Sequence, residues 1–307
     1  MKSSELPDPR IVELRWWPTS LRNAVSRVKW VEENAAAFAW SVLEECGKRD
    51  ISCLSLDVFD TLLLRGREAE AYRFMAMAER AVKLYDDACS EEALTTVGDI
   101  QVTPSVMDAF FAREQATFMS YRTREKRKGC REGWIVDIHR EQARMLGWEL
   151  ERGQQVLRQA ELDVETALLF PNHALEMVCQ GMREMGGKVI AISDMYLDAE
   201  FITQLIATKF PNGLPVDVVF SSGDRVVSKR SGLLFDEVAE ELELDPTKCL
   251  HMGDSLESDV RIPLLKKWNA MHFCIATAEE DARLESLAEL TQKMAALGHD
   301  VRPFAKV

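Results

Sequence analysis

The spacing of apolar residues changes along the chain and divides it into regions. After Pro171, short apolar runs that suit buried strands alternate with stretches whose apolar residues recur at helical spacing. Together with one earlier run, the strand-like segments occupy residues 51–56, 188–193, 216–222, 249–252 and 270–275. Strands that alternate with helices in this way predict a parallel sheet with right-handed crossovers. The expected fold class is therefore α/β, with a Rossmann-like parallel sheet.

A second region lies between the first and second predicted strands. Residues 67–167 contain no strand-like run and show helical spacing, interrupted by glycine and proline. We interpret them as a helical domain inserted into an α/β core made of residues 51–66 and 168–307. Apolar residues between 11 and 47 also recur at helical spacing, so residues 1–50 are predicted to form an N-terminal helical segment.

Composition narrows the classes of function. The 307 residues include 38 Lys and Arg against 51 Asp and Glu, a formal net charge of −13. This acidic balance disfavours broad binding to nucleic acid or anionic lipid. The seven cysteines form no Cys-x-x-Cys pair, the N-terminal residues lack the apolar core of a signal peptide, and no apolar run could cross a bilayer. We therefore expect a cytoplasmic protein with reduced thiols and without a membrane span.

Polar residues follow the predicted strands where the chain leaves the sheet. Asp57 follows the first strand, Ser193 ends the second, and Lys229 lies in the loop after the third. Asp254 follows the fourth strand, and Asp259 comes five residues later. Ligands of open α/β sheets bind outside the carboxyl ends of the strands. Carboxylates, a hydroxyl and an ammonium at that edge suit a divalent cation and a phosphoryl group.

These residues resemble the four motifs of the haloacid dehalogenase (HAD) superfamily. The stretch DVFDT at residues 57–61 resembles the first motif, and Ser193 after its apolar strand resembles the second. Lys229 resembles the third motif, and GDSLESD at residues 253–259 resembles the fourth. The resemblance covers about residues 50–275, and the helical insertion resembles the cap domain that many members carry between the first two motifs.

Within the first motif, spacing decides which aspartate is the candidate nucleophile. Asp57 lies four residues before Thr61, whereas the residue four after Asp60 is Leu64. The resemblance then implies that Asp57 forms an aspartyl-phosphate, which splits one difficult displacement into two easier steps.

The resemblance also implies a Mg²⁺ cofactor and roles for the other residues. Ser193 is expected to hydrogen-bond a phosphoryl oxygen, and Lys229 to neutralise charge on the transferring group. The implied metal-binding set is Asp57, the backbone carbonyl of Phe59, Asp254 and Asp259, the last of which orients the site or joins its shell. The residues expected to contact substrate are Thr61, which also fixes the loop, Arg65 and Asp194.

Phe59 departs from the pattern of the superfamily's phosphatases. These usually carry a second Asp two residues after the nucleophile as general acid and base, a function worth roughly 10²–10⁴ in rate. Three interpretations stay open. The leaving group needs no proton, as with an anhydride or acyl phosphate; or Asp60, Asp194 or a cap residue supplies one; or the domain binds phosphate without turning it over.

Two alternatives to phosphoryl transfer also stay open. One is a catalytically weak module that binds a phosphorylated ligand or a partner enzyme. The other is a dehalogenase, since members that cleave carbon–halogen bonds carry an aromatic Tyr at the position of Phe59, although they lack the acidic metal pair that Asp254 and Asp259 supply. The phrases FDTLLLR, SDMYLDAEF and KRSGLLFDEV resemble a subgroup often encoded beside glycosyltransferases. That resemblance implies a small phosphorylated substrate with a sugar or glycan context.

Three further features have simple interpretations. Six basic residues between 122 and 131 are expected to form a solvated helix end and loop, with recruitment of an anionic substrate as the functional alternative. His251 is expected at the edge of the core. Trp16 and Trp17 are expected either to cap a hydrophobic seam or to form an oligomer contact.

Overall fold

The computed structural model of the chain describes residues 8–14, 17–86 and 96–299. Trp16, the ends of the predicted N-terminal segment and core, and a part of the predicted helical insertion lie outside the described residues. In chain order, the strands of the described part are β1 (Cys53–Leu56), β2 (Leu63–Arg65), β3 (Leu169–Pro171), β4 (Lys188–Ser193), β5 (Val218–Ser221), β6 (Cys249–Gly253) and β7 (Asn269–His272).

The α-helices of the described part surround and connect these strands. They are α1 (Trp17–Arg22), α2 (Arg27–Lys48), α3 (Glu70–Asp86), α4 (Pro104–Thr123), α5 (Ile135–Met145), α6 (Leu150–Leu168), α7 (His173–Glu184), α8 (Ala199–Lys209), α9 (Ser222–Arg225), α10 (Leu233–Glu241), α11 (Ile262–Leu265) and α12 (Thr277–Ala296). A short 3₁₀-helix (Pro246–Lys248) precedes β6, and a π-helix (Leu256–Arg261) follows it. No helix in this part of the chain is long and apolar enough to cross a membrane.

The central sheet has the strand order β5-β4-β1-β6-β7, and every neighbouring pair is parallel. Its middle strands are buried along nearly their whole length, as expected for a sheet covered by helices on both faces. The chain runs from β1 to β4 on one side and later returns to β6 on the other, so β1 lies at a topological switch point, where such sheets bind ligands. The predicted α/β class with a Rossmann-like parallel sheet is confirmed.

A second, small sheet was not predicted. In it, β2 and β3 pair antiparallel, with Leu64 opposite Phe170. Helices α3 to α6 lie between these two strands in the chain, so the helical region leaves and re-enters the core at adjacent positions. Its interior contains apolar residues such as Phe74, Phe110 and Ile138, together with buried ion pairs such as Arg113–Glu161. The two strands therefore connect the helical region to the core.

The N-terminal helices pack onto the core through aromatic side chains. The Trp17 ring stacks on Phe38, with centroids 3.7 Å apart, and meets Trp30 edge-on at 3.8 Å. Phe273, just after β7, packs against the same group. Trp17 thus fills a seam between the N-terminal segment and the sheet. This packing brings the first residue of α2, Arg27, close to the loop after β1.

Candidate active site

The loop after β1 is a tight turn that holds Asp57 at the edge of the sheet. The Asp57 amide donates to the carbonyl of Met252 at 2.8 Å, which extends the pairing of β1 with β6 by one residue. The chain then folds back at once, with the amide of Asp60 bonded to the carbonyl of Leu63. Asp60 has φ +60°, a left-handed conformation that Asp adopts more readily than most residues. The turn therefore separates Asp57 and Asp60 into different surroundings.

Lys229 forms ion pairs with two carboxylates, those of Asp57 and Asp259. Its Nζ lies 2.5 Å from Asp57 Oδ1 and 2.6 Å from Asp259 Oδ1. The lysine is almost fully buried, which would lower its pKa, but the two carboxylates outweigh burial and raise it. Lys229 is therefore a permanent cation. Asp57 Oδ2 has no hydrogen-bond partner among the described residues and is available to react.

Asp259 is held from several sides. Its Oδ1 also contacts His251 Nε2 at 3.1 Å, and its Oδ2 accepts from the amide of Ser255 at 2.9 Å. His251 Nδ1 in turn bonds Ser55 Oγ at 2.8 Å. Burial alone would raise the pKa of Asp259, but Lys229 and His251 bring it below its usual range. Asp259 thus orients Lys229 and the loop after β6, while His251 lies in the core rather than at its edge.

Three carboxylates converge at this point. Oxygens of Asp57, Asp254 and Asp259 lie within 4.8 Å of one another. Burial, with the charge of neighbouring carboxylates, raises the pKa of Asp57 to about 8 and that of Asp254 to about 6. Lys229 alone does not balance three negative charges. Oxygen ligands with excess negative charge fit a hard divalent cation such as Mg²⁺.

Gly253 allows the close approach of Asp259. A Cβ at this position would lie 2.3 Å from Asp259 Cγ. Any other residue would push the fourth-motif loop away from β6.

Asp60 lines the same cleft but belongs to a different buried ion-pair network. Its carboxylate pairs with Arg27 from α2 and with Arg283 from α12, the latter at 2.6 Å. Arg27 also pairs with Glu279, at the start of α12. Burial would raise the pKa of Asp60, but the two arginines bring it far below its usual range. Asp60 is therefore a poor proton donor and instead fixes the loop between the N-terminal and C-terminal helices.

Phe59 and Arg65 form a contact that the sequence did not predict. The Arg65 guanidinium carbon lies 4.4 Å from the centroid of the Phe59 ring, a cation–π distance. Both side chains are largely buried, and both line the cleft that also contains Asp57. A guanidinium cation therefore lies over the ring of Phe59, in the same cleft as Asp57.

The remaining residues predicted for the site lie near the same edge of the central sheet. Ser193 is buried at the end of β4 and lines the cleft. Asp194 accepts hydrogen bonds from the amides of Lys229 at 2.8 Å and Arg230 at 3.4 Å, so it also holds the loop that carries Lys229. Thr61 is fully buried, and its hydroxyl has no hydrogen-bond partner in the described part of the chain.

The cleft has a volume of about 320 Å³ and is mostly lined by the core. The helical region contributes Glu70 from α3 and Tyr121 from α4. Met195 and Tyr196, after β4, also line it. The sequence analysis missed these four residues; Met195 and Tyr196 directly follow Asp194, and this adjacency was the available signal.

The basic cluster lies outside the cleft lining. Arg127 and Lys128 both pair with Glu237 of α10, at 2.7 and 2.8 Å. Arg124 donates to the carbonyl of Gly223 in α9. These contacts join the helical region to the core, a role that neither interpretation of the cluster included.

Comparisons with known proteins give distant structural similarities. No family model matches the chain, and no curated protein is similar to it. A HAD-family enzyme from Bacteroides thetaiotaomicron is 13% identical, with coverage of 72% of this chain and 92% of that chain and a TM-score of 0.45. A 2-haloacid dehalogenase from Pseudomonas syringae pv. tomato is 12% identical, with coverage of 73% and 86% and a TM-score of 0.45.

The wild-type Bacteroides enzyme is also known in complex with magnesium and inorganic phosphate. In that form it is 13% identical to this chain, with coverage of 72% of this chain and 93% of that chain and a TM-score of 0.43. Similarities this distant do not assign an activity to this chain.

Proposed function

We propose that this protein is a Mg²⁺-dependent phosphohydrolase or phosphotransferase of the HAD superfamily, which acts on a small phosphorylated metabolite. The observation that carries the proposal is the position of Lys229 between Asp57 and Asp259, with Asp254 in the same group of carboxylates, at the switch point of the sheet. This arrangement provides a nucleophile, a fixed cation and oxygen ligands for a metal within one small volume.

The residues that would hold Mg²⁺ are Asp57, Asp254 and the backbone carbonyl of Phe59, with Asp259 orienting the group. When bound, the ion supplies positive charge that lowers the repulsion between the carboxylates and a phosphate. The three carboxylates together need such charge, because Lys229 balances only one of them.

The chain's own residues account for the displacement. Asp57 Oδ2 attacks phosphorus and forms an O–P bond while the bond to the leaving oxygen breaks. Lys229 and Ser193 bind phosphoryl oxygens as negative charge builds on them. Water then attacks phosphorus as the bond from phosphorus to Asp57 breaks, and both protons of the water leave with the released phosphate. Because Phe59 cannot protonate the leaving oxygen, substrates whose leaving group is a stabilised anion are favoured over simple alkyl monoesters.

Carbon–halogen hydrolysis and ligand binding without turnover are the competing functions. A dehalogenase would need no metal at Asp57, and the excess negative charge of Asp57, Asp254 and Asp259 would then serve no purpose. Binding without turnover would use the same metal, and Mg²⁺-dependent binding without phosphate release would identify it. A sugar or glycan context, a link to glycosyltransferases and a cytoplasmic location stay predictions. Every described cysteine is free, which agrees with a reducing compartment.

Steady-state assays with acetyl phosphate and with 2-chloropropionate test the proposal. We expect Mg²⁺-dependent phosphate release that EDTA and Asp57→Asn abolish, and no halide release. Asp281→Asn, which changes an exposed aspartate, is the matched control and should leave the rate unchanged. Full phosphate release in excess EDTA or in Asp57→Asn would rule out the mechanism, and metal-independent halide release would support the dehalogenase.

A further inference from the structure

The cleft contains one cation that donates no hydrogen bond to an oxygen or nitrogen of the described residues. Of the described residues that line it, Lys229 and Arg65 carry positive charge. Lys229 is engaged by Asp57 and Asp259. The Arg65 side chain donates no hydrogen bond to an oxygen or nitrogen in the described part of the chain; its hydrogen-bond partner there is Met195 Sδ, 3.9 Å from Nη2. Arg65 is therefore the cation that a ligand could engage.

The surroundings of Arg65 hold it in place without satisfying it. Its side chain is only 12% exposed, and Nη2 lies 3.7 Å from Glu165 Oε1, beyond hydrogen-bond distance. Glu165 is shared with Arg73, whose Nε lies 3.5 Å from the same oxygen. Two guanidinium groups thus share one carboxylate, and neither donates a hydrogen bond to its oxygens. Buried donors without partners are uncommon, and a bound ligand is one explanation.

Other carboxylates near Arg65 do not neutralise it directly. Asp60 is already paired with Arg27 and Arg283. Glu70 lines the cleft but is exposed and forms no ion pair with Arg65 in the described residues. The Phe59 ring, which supports the guanidinium, carries no charge and accepts no proton. The position beside Phe59 is thus preorganised for an anion.

We propose that Arg65, supported by the Phe59 ring, binds through paired hydrogen bonds a leaving oxyanion that carries a second oxygen, so that this leaving group departs without the usual general acid. The inference rests on the proposed function and adds a substrate class: acyl phosphates, which release a carboxylate, or phosphoanhydrides, which release a phosphate. As Asp57 forms its bond to phosphorus, the electron pair of the broken P–O bond stays on the leaving oxygen. No proton is needed, because the guanidinium compensates the developing charge. A planar guanidinium also matches both leaving groups by paired hydrogen bonds.

Arg65→Met tests the inference by a comparison of substrates. We expect kcat/KM for acetyl phosphate or for pyrophosphate to fall about 10- to 100-fold, the cost of losing charge-assisted hydrogen bonds. Hydrolysis of a hexose phosphate, measured under single-turnover conditions if slow, should change less than about threefold. A loss confined to acetyl phosphate identifies a carboxylate leaving group, and a loss confined to pyrophosphate identifies a phosphate. Arg65→Lys, which retains the charge without the planar fork, should lie in between.

The control is Arg73→Met, which removes the other guanidinium beside Glu165 but does not alter the lining of the cleft. It should affect all substrates equally. An equal loss on all three substrates in Arg65→Met, or no loss on any, would overturn the inference.

A binding measurement gives a readout that does not need turnover. In Asp57→Asn with Mg²⁺ present, calorimetry should show that Arg65→Met weakens pyrophosphate at least about tenfold but leaves orthophosphate unchanged, since only pyrophosphate reaches Arg65. Equal weakening of both ligands, or of neither, would contradict a phosphate leaving group at Arg65.

These experiments distinguish a failure of the proposed function from a failure of the inference about Arg65. Wild-type turnover that persists in Asp57→Asn contradicts the proposed function, and the inference falls with it. Turnover that needs Asp57 but shows no substrate-dependent response to Arg65→Met leaves the function standing and removes the inference alone.

Discussion

Asp57 and Asp60 are buried carboxylates three residues apart in one loop, yet their surroundings are opposite. Asp57 lies among two further carboxylates and one lysine, and burial with these charges raises its pKa to about 8. Asp60 lies between two arginines, which outweigh burial and bring its pKa far below the usual range. The first site lacks positive charge, whereas in the second Arg27 and Arg283 balance Asp60 and Glu279. This difference is the basis for proposing that Asp57 binds a metal ion and reacts with a phosphate, whereas Asp60 is a structural contact.

The comparison extends to the elements that surround each residue. Asp57 is surrounded by loops after β1, β5 and β6, which belong to the predicted core. Asp60 is held by Arg27 from the N-terminal helical segment and by Arg283 from α12, the last helix of the core in the described residues. The N-terminal helical segment therefore helps to fix the loop that carries Asp57 and Asp60.

The largest expected effect comes from Lys229→Met, which removes the cation of the Asp57 site. We expect kcat to fall about 10²–10³-fold, as for the loss of one group that stabilises the transition state. Without metal, the free energy of unfolding should fall by about 3–5 kcal/mol, because buried carboxylates lose their partner. Denaturant unfolding with and without Mg²⁺ measures this, and Mg²⁺ should restore part of the loss. Lys248→Met, which breaks an exposed pair, is the control and should change little.

Asp60→Asn should destabilise the protein but keep the chemistry. Asn tolerates the left-handed backbone, so the change removes charge alone. We expect a loss of about 3 kcal/mol in the free energy of unfolding, the lower end for breaking a buried ion pair, since Arg27 keeps Glu279. Asp236→Asn, in an exposed pair with Lys266, should cost at most about 1 kcal/mol. If Asp60→Asn lost as much turnover as Asp57→Asn while keeping its fold, the distinction between a reacting Asp57 and a structural Asp60 would be wrong.

Phe59→Asp should give the chain the acid that it lacks. Hydrolysis of a hexose phosphate should rise, up to the ~10² lower bound for one general acid, while acetyl phosphate gains little. Phe59→Leu removes the ring without adding an acid and should not raise the rate. Wild type that already hydrolyses hexose phosphate as fast as acetyl phosphate would show that another residue acts as acid, and Asp194 or Glu70 would then be the first candidates.

The smallest expected effect is a rise in Tm on adding Mg²⁺ that depends on pH. The raised pKa values of Asp57 and Asp254, about 8 and about 6 against 3.8 in an unfolded chain, mean that the folded state holds more protons between these values. Stability from these groups is therefore greatest below about pH 4 and falls as pH rises towards 8 without metal. Mg²⁺ competes with those protons, so the rise in Tm on adding Mg²⁺ should grow from pH 5 to pH 8 and reach a few degrees, roughly 1 kcal/mol or more. A Tm shift that is independent of pH, or unchanged in Asp254→Asn, would argue against this metal site.

The sequence predicted the parts of this picture that depend on local pattern. Apolar runs identified the five strands of the parallel sheet, and because parallel strands end at one edge, Asp57, Ser193, Lys229 and Asp254 could be expected together. The small β2–β3 sheet was missed because each strand has only three residues, too few for a periodic signal. The arginine partners of Asp60 were missed because they lie 33 and 223 residues away in the chain. Such pairings arise from tertiary packing, so no local pattern in the sequence predicts them.

The most direct test of the account is to find which aspartate carries the phosphoryl group. The enzyme would be mixed with acetyl phosphate and Mg²⁺, quenched in acid within the first turnover and reduced with borohydride, which converts an aspartyl-phosphate to homoserine. Peptide mass spectrometry of residues 51–65 then locates the change. The account predicts homoserine at position 57, aspartate at position 60, and no conversion in Asp57→Asn. Homoserine at position 60, or turnover without any conversion at position 57, would contradict it.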